Sequence, residues 1–290
     1  MIKLTDAGTI KRLQKAYGFR MKKRFGQNFL LDEHVILDTL DGAEIGPEDL
    51  VVEIGPGFGT LTRALAGRAR RVLAVEIDTK AVEVLGETLK DLDNVQLIPG
   101  DCMKMSLDQL AGEPYKVVAN LPYYITTPIL MKLLEEESLV TSVTVMVQKE
   151  VGQRMEAPPG GKDYGALSVA VQYHSSVRRI RLVKPGAFWP PPSVDSAVIR
   201  LDILREPPVQ VPDKKLFFRV VKAAFAQRRK TLLNTLTAGF PEISRDRLSQ
   251  LLEACAVDPG RRGETLSLQE FAVLTGALHR EMAGEEKYKI

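Results

Sequence analysis

The chain has 290 residues, 44% of them hydrophobic and 27% charged, and it carries a formal net charge of +3 at pH 7. This composition predicts an ordinary globular protein of one large or two modest domains. It argues against a membrane protein, since no apolar run approaches the roughly 20 residues that a span needs, and the mixed charges of the N-terminus argue against a secretory signal.

The cysteines and histidines make a secreted disulfide protein and a metal enzyme poor matches. Cys102 and Cys255 lie far apart in the sequence, which predicts reduced thiols and a cytoplasmic protein. His34, His174 and His279 are scattered, with no metal-ligand spacing around them. We therefore expect no metal ion. The absence of a long apolar run likewise predicts no membrane partner.

The first predicted elements are a short basic helix and a loop. Apolar residues at helical spacing over residues 5–17 predict the helix. Gln27 and Asn28 follow between the aromatic residues Phe25 and Phe29, where polar side chains do not suit a core. This pattern favours a ligand-facing loop, and a simple turn before the next helix is the alternative.

A glycine-rich turn follows the apolar run at residues 50–52. Gly55, Gly57 and Gly59 stand at alternate positions, after this predicted strand and before a predicted helix. Glycine lets backbone N–H groups approach a ligand without a Cβ in the way, and Glu53 lies where a cationic or amine-bearing ligand could meet it. The spacing differs from the Gly-x-Gly-x-x-Gly fingerprint of dinucleotide sites. It resembles the cofactor loop of S-adenosylmethionine-dependent methyltransferases, with a structural turn or an NAD site as the alternative.

Two further predicted strands also end in acids. Glu76 closes the second strand, and Asp101 follows the third. A carboxylate about 20 residues beyond such a turn suits the two ribose hydroxyls, because it can accept two hydrogen bonds at once, while Asp101 can accept from an adenine amine. Parallel strands would bring these acids and Glu53 to one edge of a sheet. Ile77 and Cys102, the neighbours of the two acids, are assigned to the same site.

The whole pattern of elements predicts an α/β fold. The predicted strands lie at residues 50–52, 71–77, 95–98, 115–119, 143–147, 167–173 and 194–201. Helices separate the strands up to residue 136 and strands dominate afterwards, which predicts a Rossmann-like, mostly parallel sheet with an antiparallel edge. A Pro-rich linker near 207–212 then leads into helical patterns. We expect a catalytic domain over 1–206 and a smaller all-helical C-terminal domain over 207–290.

The fourth strand leads into Asn120-Leu121-Pro122-Tyr123, which suits the methylation of an aryl amine. Adenine N6 is a poor nucleophile because its lone pair is delocalised into the ring. The Asn120 side-chain oxygen and the Leu121 carbonyl can accept from both N–H groups and aim that lone pair at a methyl sulfonium. Stacking of the base on Tyr123 needs only the ring and is worth roughly 1–3 kcal/mol, and Phe188 could clamp the other face. A structural Asn-x-Pro turn and core aromatics are the alternatives.

Three clusters of basic residues predict a polyanionic partner such as nucleic acid. The first holds Lys11, Arg12, Lys15, Arg20, Lys22, Lys23 and Arg24, the second holds Arg178, Arg179, Arg181 and Lys184, and the third holds Arg219, Lys222, Arg228, Arg229 and Lys230. A solvated surface is the alternative for any single cluster.

Five motifs together resemble the ribosomal RNA adenine N6,N6-dimethyltransferases. They are Gln27-Asn28-Phe29-Leu30, Glu53-Ile54-Gly55-Pro56-Gly57-Phe58-Gly59, Asn120-Leu121-Pro122-Tyr123, Phe188-x-Pro-x-Pro and Phe225-x-Gln-Arg-Arg-Lys-Thr-Leu. Their order and spacing match the family over nearly the whole chain. The resemblance implies S-adenosylmethionine as cofactor and dimethylation of two adjacent adenosines in a hairpin loop near the 3′ end of small-subunit (16S) ribosomal RNA. It also implies a role in the biogenesis of the small subunit.

The resemblance further implies site residues and partners. By resemblance the cofactor contacts are Asn28, Leu30, Gly55, Glu76, Asp101 and Asn120, and the assigned cofactor site also includes Gln27, Glu53, Gly57, Ile77 and Cys102. Asn120, Tyr123 and Phe188 are implied to hold the target adenine. The expected partner is small-subunit ribosomal RNA or an immature 30S particle, and the expected state is a monomer.

Three other functions stay open on the sequence. The macrolide-resistance methyltransferases modify adenine N6 in large-subunit (23S) RNA and share most of these motifs, but the long C-terminal region and Asn-Leu-Pro-Tyr favour the small-subunit branch. An NAD-dependent oxidoreductase is disfavoured by the glycine spacing. A noncatalytic RNA-binding assembly factor would show the same motifs without methyl transfer.

Overall fold

The computed structural model describes residues 2–21 and 27–286. The helices are α1 (Ala7–Ala16), α2 (Glu33–Gly42), α3 (Thr60–Ala66), α4 (Thr79–Thr88), α5 (Leu107–Ala111), α6 (Thr126–Glu135), α7 (Lys149–Glu156), α8 (Ala166–His174), α9 (Lys214–Ala224), α10 (Leu232–Gly239), α11 (Arg245–Ala254) and α12 (Leu268–Glu286). The strands are β1 (Phe29–Leu30), β2 (Leu50–Ile54), β3 (Arg71–Glu76), β4 (Val95–Pro99), β5 (Tyr115–Asn120), β6 (Val140–Gln148), β7 (Ser175–Val183), β8 (Phe188–Trp189) and β9 (Ser196–Ile203). Phe25 and the basic residues Lys22, Lys23 and Arg24 lie outside the described residues.

Seven strands form the main sheet, in the order β4-β3-β2-β5-β6-β9-β7. β2 pairs in parallel with β3 and β5, β3 pairs in parallel with β4, and β5 pairs in parallel with β6, whereas β6 and β9 are antiparallel. The predicted mostly parallel sheet with an antiparallel edge is confirmed. The strand order reverses between β2 and β5, and open α/β sheets bind ligands at the carboxyl ends of the strands beside such a reversal.

The chain divides into two compact units, of which the first comprises the residues up to 152 together with 176–203. It contains the main sheet and the small antiparallel pair of β1 with β8. All five residues of β2 are buried, because helices cover both faces of a parallel sheet. The glycine turn therefore follows a strand whose five residues are all buried in the core.

The second unit comprises residues 153–175 and the chain from 204 onward, and its described part is built from helices. Its core includes the fully buried rings of Phe217, Phe240 and Phe271. A capping box begins α12, since Ser267 N donates to Glu270 Oε2 at 2.8 Å and Glu270 N donates to Ser267 Oγ at 3.2 Å. Residues 153–175, which the sequence analysis places in the catalytic domain, pack here with the helices; the boundary at residue 206 itself stays a prediction.

The strand predicted over 167–173 is wrong, because these residues form helix α8. Val169, Ala170, Val171 and Tyr173 are all buried, so apolar residues occupy more than one face of this helix. A helix buried on most sides loses its 3.6-residue hydrophobic period. The alternation of apolar residues that remains is typical of a strand, which explains the error.

Strand β7 was not among the predicted strands, and its basic residues belong to the second basic cluster. β7 lies at one end of the sheet order, and several of its side chains, including Arg178 and Arg179, are exposed. Charged side chains are common on edge strands, where they discourage pairing with another chain. Such a strand lacks the buried apolar pattern by which the other strands could be predicted.

Candidate active site

One cavity lies at the carboxyl ends of β2, β3, β4 and β5, beside the loop that precedes β1. It brings together every residue assigned to the cofactor from the sequence, together with Tyr123. These lining residues are Gln27, Asn28, Leu30, Glu53, Gly55, Gly57, Glu76, Ile77, Asp101, Cys102, Asn120 and Tyr123. The parallel strands end at the same edge, and this is why residues up to 96 positions apart in sequence meet in one place.

The glycine turn has a backbone shape that other residues rarely adopt. Gly55, Gly57 and Gly59 all have positive φ angles, of 70°, 63° and 89°. Space is also limited at Gly59, where a Cβ would meet Leu89 Cδ2 at 2.8 Å. The turn thus needs glycine for its conformation, and at Gly59 for packing as well.

The Glu76 carboxylate joins the glycine turn to the end of β3. Its Oε2 accepts from Gly57 N at 3.2 Å, and its Oε1 accepts from Asp78 N at 2.8 Å. Burial raises the pKa of Glu76, and these two backbone N–H groups oppose the rise. Each carboxylate oxygen can accept a second hydrogen bond, so a ligand in the cavity can still be bound by both oxygens.

Glu53 is a buried carboxyl group in β2, only 1% exposed. The pKa of Glu53 is raised to about 8, and burial is the main cause. The nearby Thr62 hydroxyl opposes the rise, and the Glu76 carboxylate adds to it. Among the described residues, neither Glu53 Oε2 nor Thr62 Oγ1 has a partner at hydrogen-bonding geometry. Glu53 is therefore largely protonated at neutral pH in the protein alone, and a positively charged ligand group would favour its ionised form.

This pKa predicts a pH-dependent stability. Between pH 4.5 and about 8 the folded protein retains a proton on Glu53 that the unfolded chain has released. The free energy of unfolding should therefore fall with rising pH in this window, by up to about 1.4 kcal/mol per pH unit from this group. Glu53→Gln keeps the shape without the titration, so its stability should decline less between pH 5 and 8 in urea unfolding. Parallel pH profiles for the two proteins would contradict a raised pKa.

The loop before β1 and the first residue of β1 are held at the sheet edge by the side chains of Gln27 and Phe29. Gln27 Nε2 donates to Asp78 Oδ2 at 3.2 Å, and Asp78 also caps α4 by accepting from Lys80 N at 3.1 Å. The Phe29 ring packs against Phe58 of the glycine turn, with 4.5 Å between centroids. These contacts place Gln27 beside the strand ends, as the sequence predicts for a ligand-facing loop.

Asp101 and Cys102 lie just beyond the end of β4. Asp101 Oδ1 accepts from Met103 N at 3.0 Å and caps a single 3-10 turn. Burial raises the pKa of Cys102 to about 11, with a smaller contribution from Asp101. The thiol is thus protonated at neutral pH and presents a small apolar surface to the cavity, as does the half-exposed side chain of Ile77.

The Asn120 side chain is held in one orientation at the end of β5. Its Nδ2 donates to the backbone carbonyl of Asn28 at 3.0 Å, across 92 positions of sequence. Because a carbonyl can only accept, the amide nitrogen must face Asn28 and Oδ1 is left as an acceptor. The next residue is fixed as well, since Leu121 N donates to Met146 O at 3.2 Å. The arrangement provides a preoriented acceptor without a titrating group.

The two aromatic residues predicted to hold a base lie in different surroundings. Tyr123 lines the cavity and its hydroxyl lies 2.6 Å from Ser196 Oγ. Phe188 is not among the lining residues: it is 3% exposed, pairs with Leu30 and belongs to the core. Its stacking on a base stays a prediction, while its observed packing supports the strand that carries Leu30.

Most residues of the second basic cluster form ion pairs with acids, whereas several cations of the other two clusters do not. Arg178 binds Glu44 at 3.0 Å, Arg181 binds Asp38 and Lys184 binds Asp195 at 2.8 Å. In the third cluster Arg219 binds Glu242 at 2.7 Å and Arg228 binds Glu264 at 3.2 Å. In the first and third clusters, the exposed cations without a carboxylate partner among the described residues are Lys11, Lys15, Arg20, Lys222, Arg229 and Lys230.

Within residues 2–21 and 27–286, no group of three or more His, Cys, Asp and Glu side chains is arranged to hold a metal. None of the helices described there has the length and hydropathy that a membrane crossing demands.

Comparison with known proteins connects this geometry to a family. The model of the ribosomal RNA adenine dimethylase family matches residues 18–273. Ribosomal RNA small subunit methyltransferase A of Alkaliphilus metalliredigens is 48% identical over 280 residues, which is 95% of this chain and 98% of that protein. The protein of the same name from Bacillus cytotoxicus is 49% identical over 276 residues, 92% of this chain and 94% of that protein.

Solved structures show the same fold. A dimethyladenosine transferase from Plasmodium falciparum superposes with a TM-score of 0.73 at 24% identity, covering 88% of this chain and 98% of that one. The 23S rRNA methyltransferase ErmE superposes with a TM-score of 0.66 at 27% identity, covering 87% of this chain and all of that one. The fold is thus that of a Rossmann-like methyltransferase. The chain belongs to the ribosomal RNA adenine dimethylase family, whose cofactor is S-adenosylmethionine.

Proposed function

We propose that the chain dimethylates N6 of two adjacent adenosines in a hairpin loop near the 3′ end of small-subunit ribosomal RNA, as a step in small-subunit biogenesis in the cytoplasm. The observation that carries this choice of RNA is the 48% identity with a small-subunit methyltransferase over nearly the full length of both chains. Identity with the 23S rRNA methyltransferase is 27%.

The residues that line the cavity fit S-adenosylmethionine. The Glu76 oxygens retain lone pairs for two ribose hydroxyls, and Asp101 suits the adenine amine. The buried Glu53 Oε2 has no hydrogen-bond partner among the described residues, as expected of a group that meets a cationic ligand. The cofactor supplies an electrophilic methyl group on a positively charged sulfonium.

The chain's own residues position the target amine. Asn120 Oδ1 and the Leu121 carbonyl accept the two N6 hydrogens, which directs the nitrogen lone pair toward the methyl group. Tyr123 holds the base by stacking. A base catalyst is not needed, because the methylated amine is strongly acidic and loses its proton readily. Positioning is the main contribution of the protein.

We also propose that the enzyme acts as a monomer, without a metal ion, on an immature 30S particle. Methyl transfer from a sulfonium needs alignment and no Lewis acid. Methylation of adjacent bases in a hairpin loop requires that the loop be accessible, which favours a particle that has not completed assembly.

The exposed cations of the third basic cluster are proposed to bind RNA phosphates. In the double variant Arg229→Ala with Lys230→Ala, the slope of log affinity against log salt concentration should become less steep by roughly 1.5. Each lost phosphate contact removes about 0.7–0.9 from the magnitude of this slope. Cofactor affinity should not change. Arg247→Ala is the matched control, because Arg247 binds Glu281 at 2.7 Å within the same unit. A double variant with the wild-type slope would remove these residues from the RNA surface.

Substrate competition tests the proposed function. Purified protein with labelled S-adenosylmethionine is offered equal amounts of unmethylated small-subunit particles and large-subunit particles. Label on adenosines of the small-subunit RNA is expected. Label confined to large-subunit RNA would favour the 23S-modifying alternative, and no label on either would favour a noncatalytic assembly factor.

A further inference from the structure

A short hydrogen bond links the cavity to the antiparallel part of the sheet. The hydroxyl of Tyr123 lies 2.6 Å from Ser196 Oγ, although the two residues are 73 positions apart. Ser196 is the first residue of β9 and is fully buried. The O–H···O separation is at the short end of the usual range, so the bond is well formed.

Ser196 is itself held in place by the neighbouring strand. It lies opposite Gln148 in the antiparallel register of β6 with β9. The preceding carbonyl, that of Asp195, accepts from Lys149 N at 2.9 Å. A hydroxyl on a paired, buried strand end has little freedom to move, so it is a fixed point for the far end of the Tyr123 side chain.

The same stretch of chain also supports the other side of the cavity. The Ala187 carbonyl accepts from Leu31 N at 2.8 Å, and Phe188 pairs with Leu30. These contacts fix the loop whose Asn28 carbonyl holds Asn120. Residues 187–196 therefore brace both the amine acceptor and the stacking ring.

An acid–base role for the Tyr123 hydroxyl is disfavoured. Burial raises the pKa of Tyr123 above its usual value, and Ser196 opposes this in part. The hydroxyl thus stays protonated at neutral pH and is already engaged with a partner. Anchoring is the function that its surroundings support.

We propose that Ser196 is a positioning residue for methyl transfer, which acts by fixing the hydroxyl end of Tyr123 and thereby the plane on which the target adenine stacks. This inference rests on the proposed function. It also changes an expectation from the sequence, by which Tyr123→Phe keeps most activity because stacking needs only the ring. With the bond to Ser196, the phenylalanine ring would be free to tilt.

A double-mutant cycle tests the coupling. Ser196→Ala and Tyr123→Phe remove the same hydrogen bond from opposite ends, and each should lower kcat by roughly threefold to tenfold, the effect of one net hydrogen bond. KM for the RNA should change little, because phosphate contacts dominate RNA binding. The double variant should be no slower than either single variant, since the bond can be lost only once.

Ser142→Ala is the matched control. Ser142 is a buried serine of β6 in the same sheet, and its hydroxyl has no hydrogen-bond partner among the described residues. Its removal should leave kcat unchanged. kcat and KM are measured at steady state and the methyl-transfer step in single turnover, all well below the melting temperature of every variant, with cofactor affinity determined in parallel.

The inference is overturned if the fold-decrease in kcat of the double variant equals the product of the fold-decreases of Ser196→Ala and Tyr123→Phe. It is equally overturned if both single variants keep the wild-type kcat. It is also overturned if the loss appears in KM for the RNA alone. A wild-type protein that methylates no small-subunit RNA would instead refute the proposed function. In that case the coupling between Ser196 and Tyr123 would still be measured as nonadditive changes in thermal stability.

Discussion

Asn120→Ala is expected to lower the single-turnover rate of methyl transfer by on the order of 10²-fold or more, the effect of losing one preorganised transition-state contact. The reason lies in the hydrogen bond from Nδ2 to the Asn28 carbonyl, which fixes the amide and leaves Oδ1 as an acceptor for the reacting amine. RNA affinity should change little, because phosphate contacts dominate it.

Two further variants separate catalysis from structure at this position. Asn120→Asp keeps acceptor oxygens but cannot donate to the Asn28 carbonyl, so it should also be slow. Asn94→Ala removes an amide that donates to the carbonyls of Ala66 and Ala69, at 2.9 and 3.0 Å, and does not line the cavity. It should melt at a lower temperature and retain the wild-type rate. An Asn120→Ala protein that melts normally and methylates at the wild-type rate would contradict the mechanism.

Glu76→Ala is expected to weaken cofactor binding by roughly 1.5–3 kcal/mol, or about 10- to 150-fold in Kd, the range for hydrogen bonds to a charged group. The carboxylate can accept two ribose hydroxyls in addition to its bonds from Gly57 N and Asp78 N. Calorimetry with S-adenosylmethionine measures the loss. Glu83→Ala makes the same change of charge on the exposed face of α4 and should bind the cofactor as the wild type does.

The Glu76 carboxylate also holds two backbone groups, so a general loss of structure must be separated from a lost ribose contact. A cofactor analogue without the 2′-hydroxyl makes this distinction. The wild type should bind the analogue more weakly than the cofactor, whereas Glu76→Ala should discriminate less between the two. Equal discrimination by both proteins would remove Glu76 from the ribose site, and unchanged cofactor affinity in a folded Glu76→Ala protein would remove it from the cofactor site altogether.

The gathering of the proposed cofactor residues at the strand ends could be predicted from the sequence because its signals are local. A strand, a glycine turn and an acid at each strand end are close in sequence, and parallel pairing alone brings Glu53, Glu76 and Asp101 to one edge. The positive φ angles at Gly55 and Gly57 follow from the same short pattern.

The contacts that hold the side chains of Asn120 and Tyr123 could not be predicted in this way. The bonds from Asn120 to Asn28 and from Tyr123 to Ser196 join residues 92 and 73 positions apart. Nothing in the residues near Ser196 distinguishes it from other serines of the sheet. Its proposed role rests on the antiparallel register of β9, which is a property of the fold and has no local signal.

Burial explains the errors at the secondary-structure level. Helix α8 is apolar on more than one face, so its helical period is hidden, and the charged edge strand β7 lacks the pattern of a buried strand. The local sequence also cannot distinguish a base-stacking Phe188 from a core Phe188, because an aromatic residue beside prolines suits both. In the structure the ring is buried.

Mass spectrometry of small-subunit RNA tests most directly whether this chain dimethylates adjacent adenosines near the 3′ end. Unmethylated small-subunit particles are incubated with S-adenosylmethionine and either the wild-type protein or Asn120→Ala. The expected result is two methyl groups on N6 of each of two adjacent adenosines with the wild type, and unmodified RNA with the variant. Unmodified small-subunit RNA after incubation with the wild type, or methyl groups at other positions alone, would contradict the proposed function.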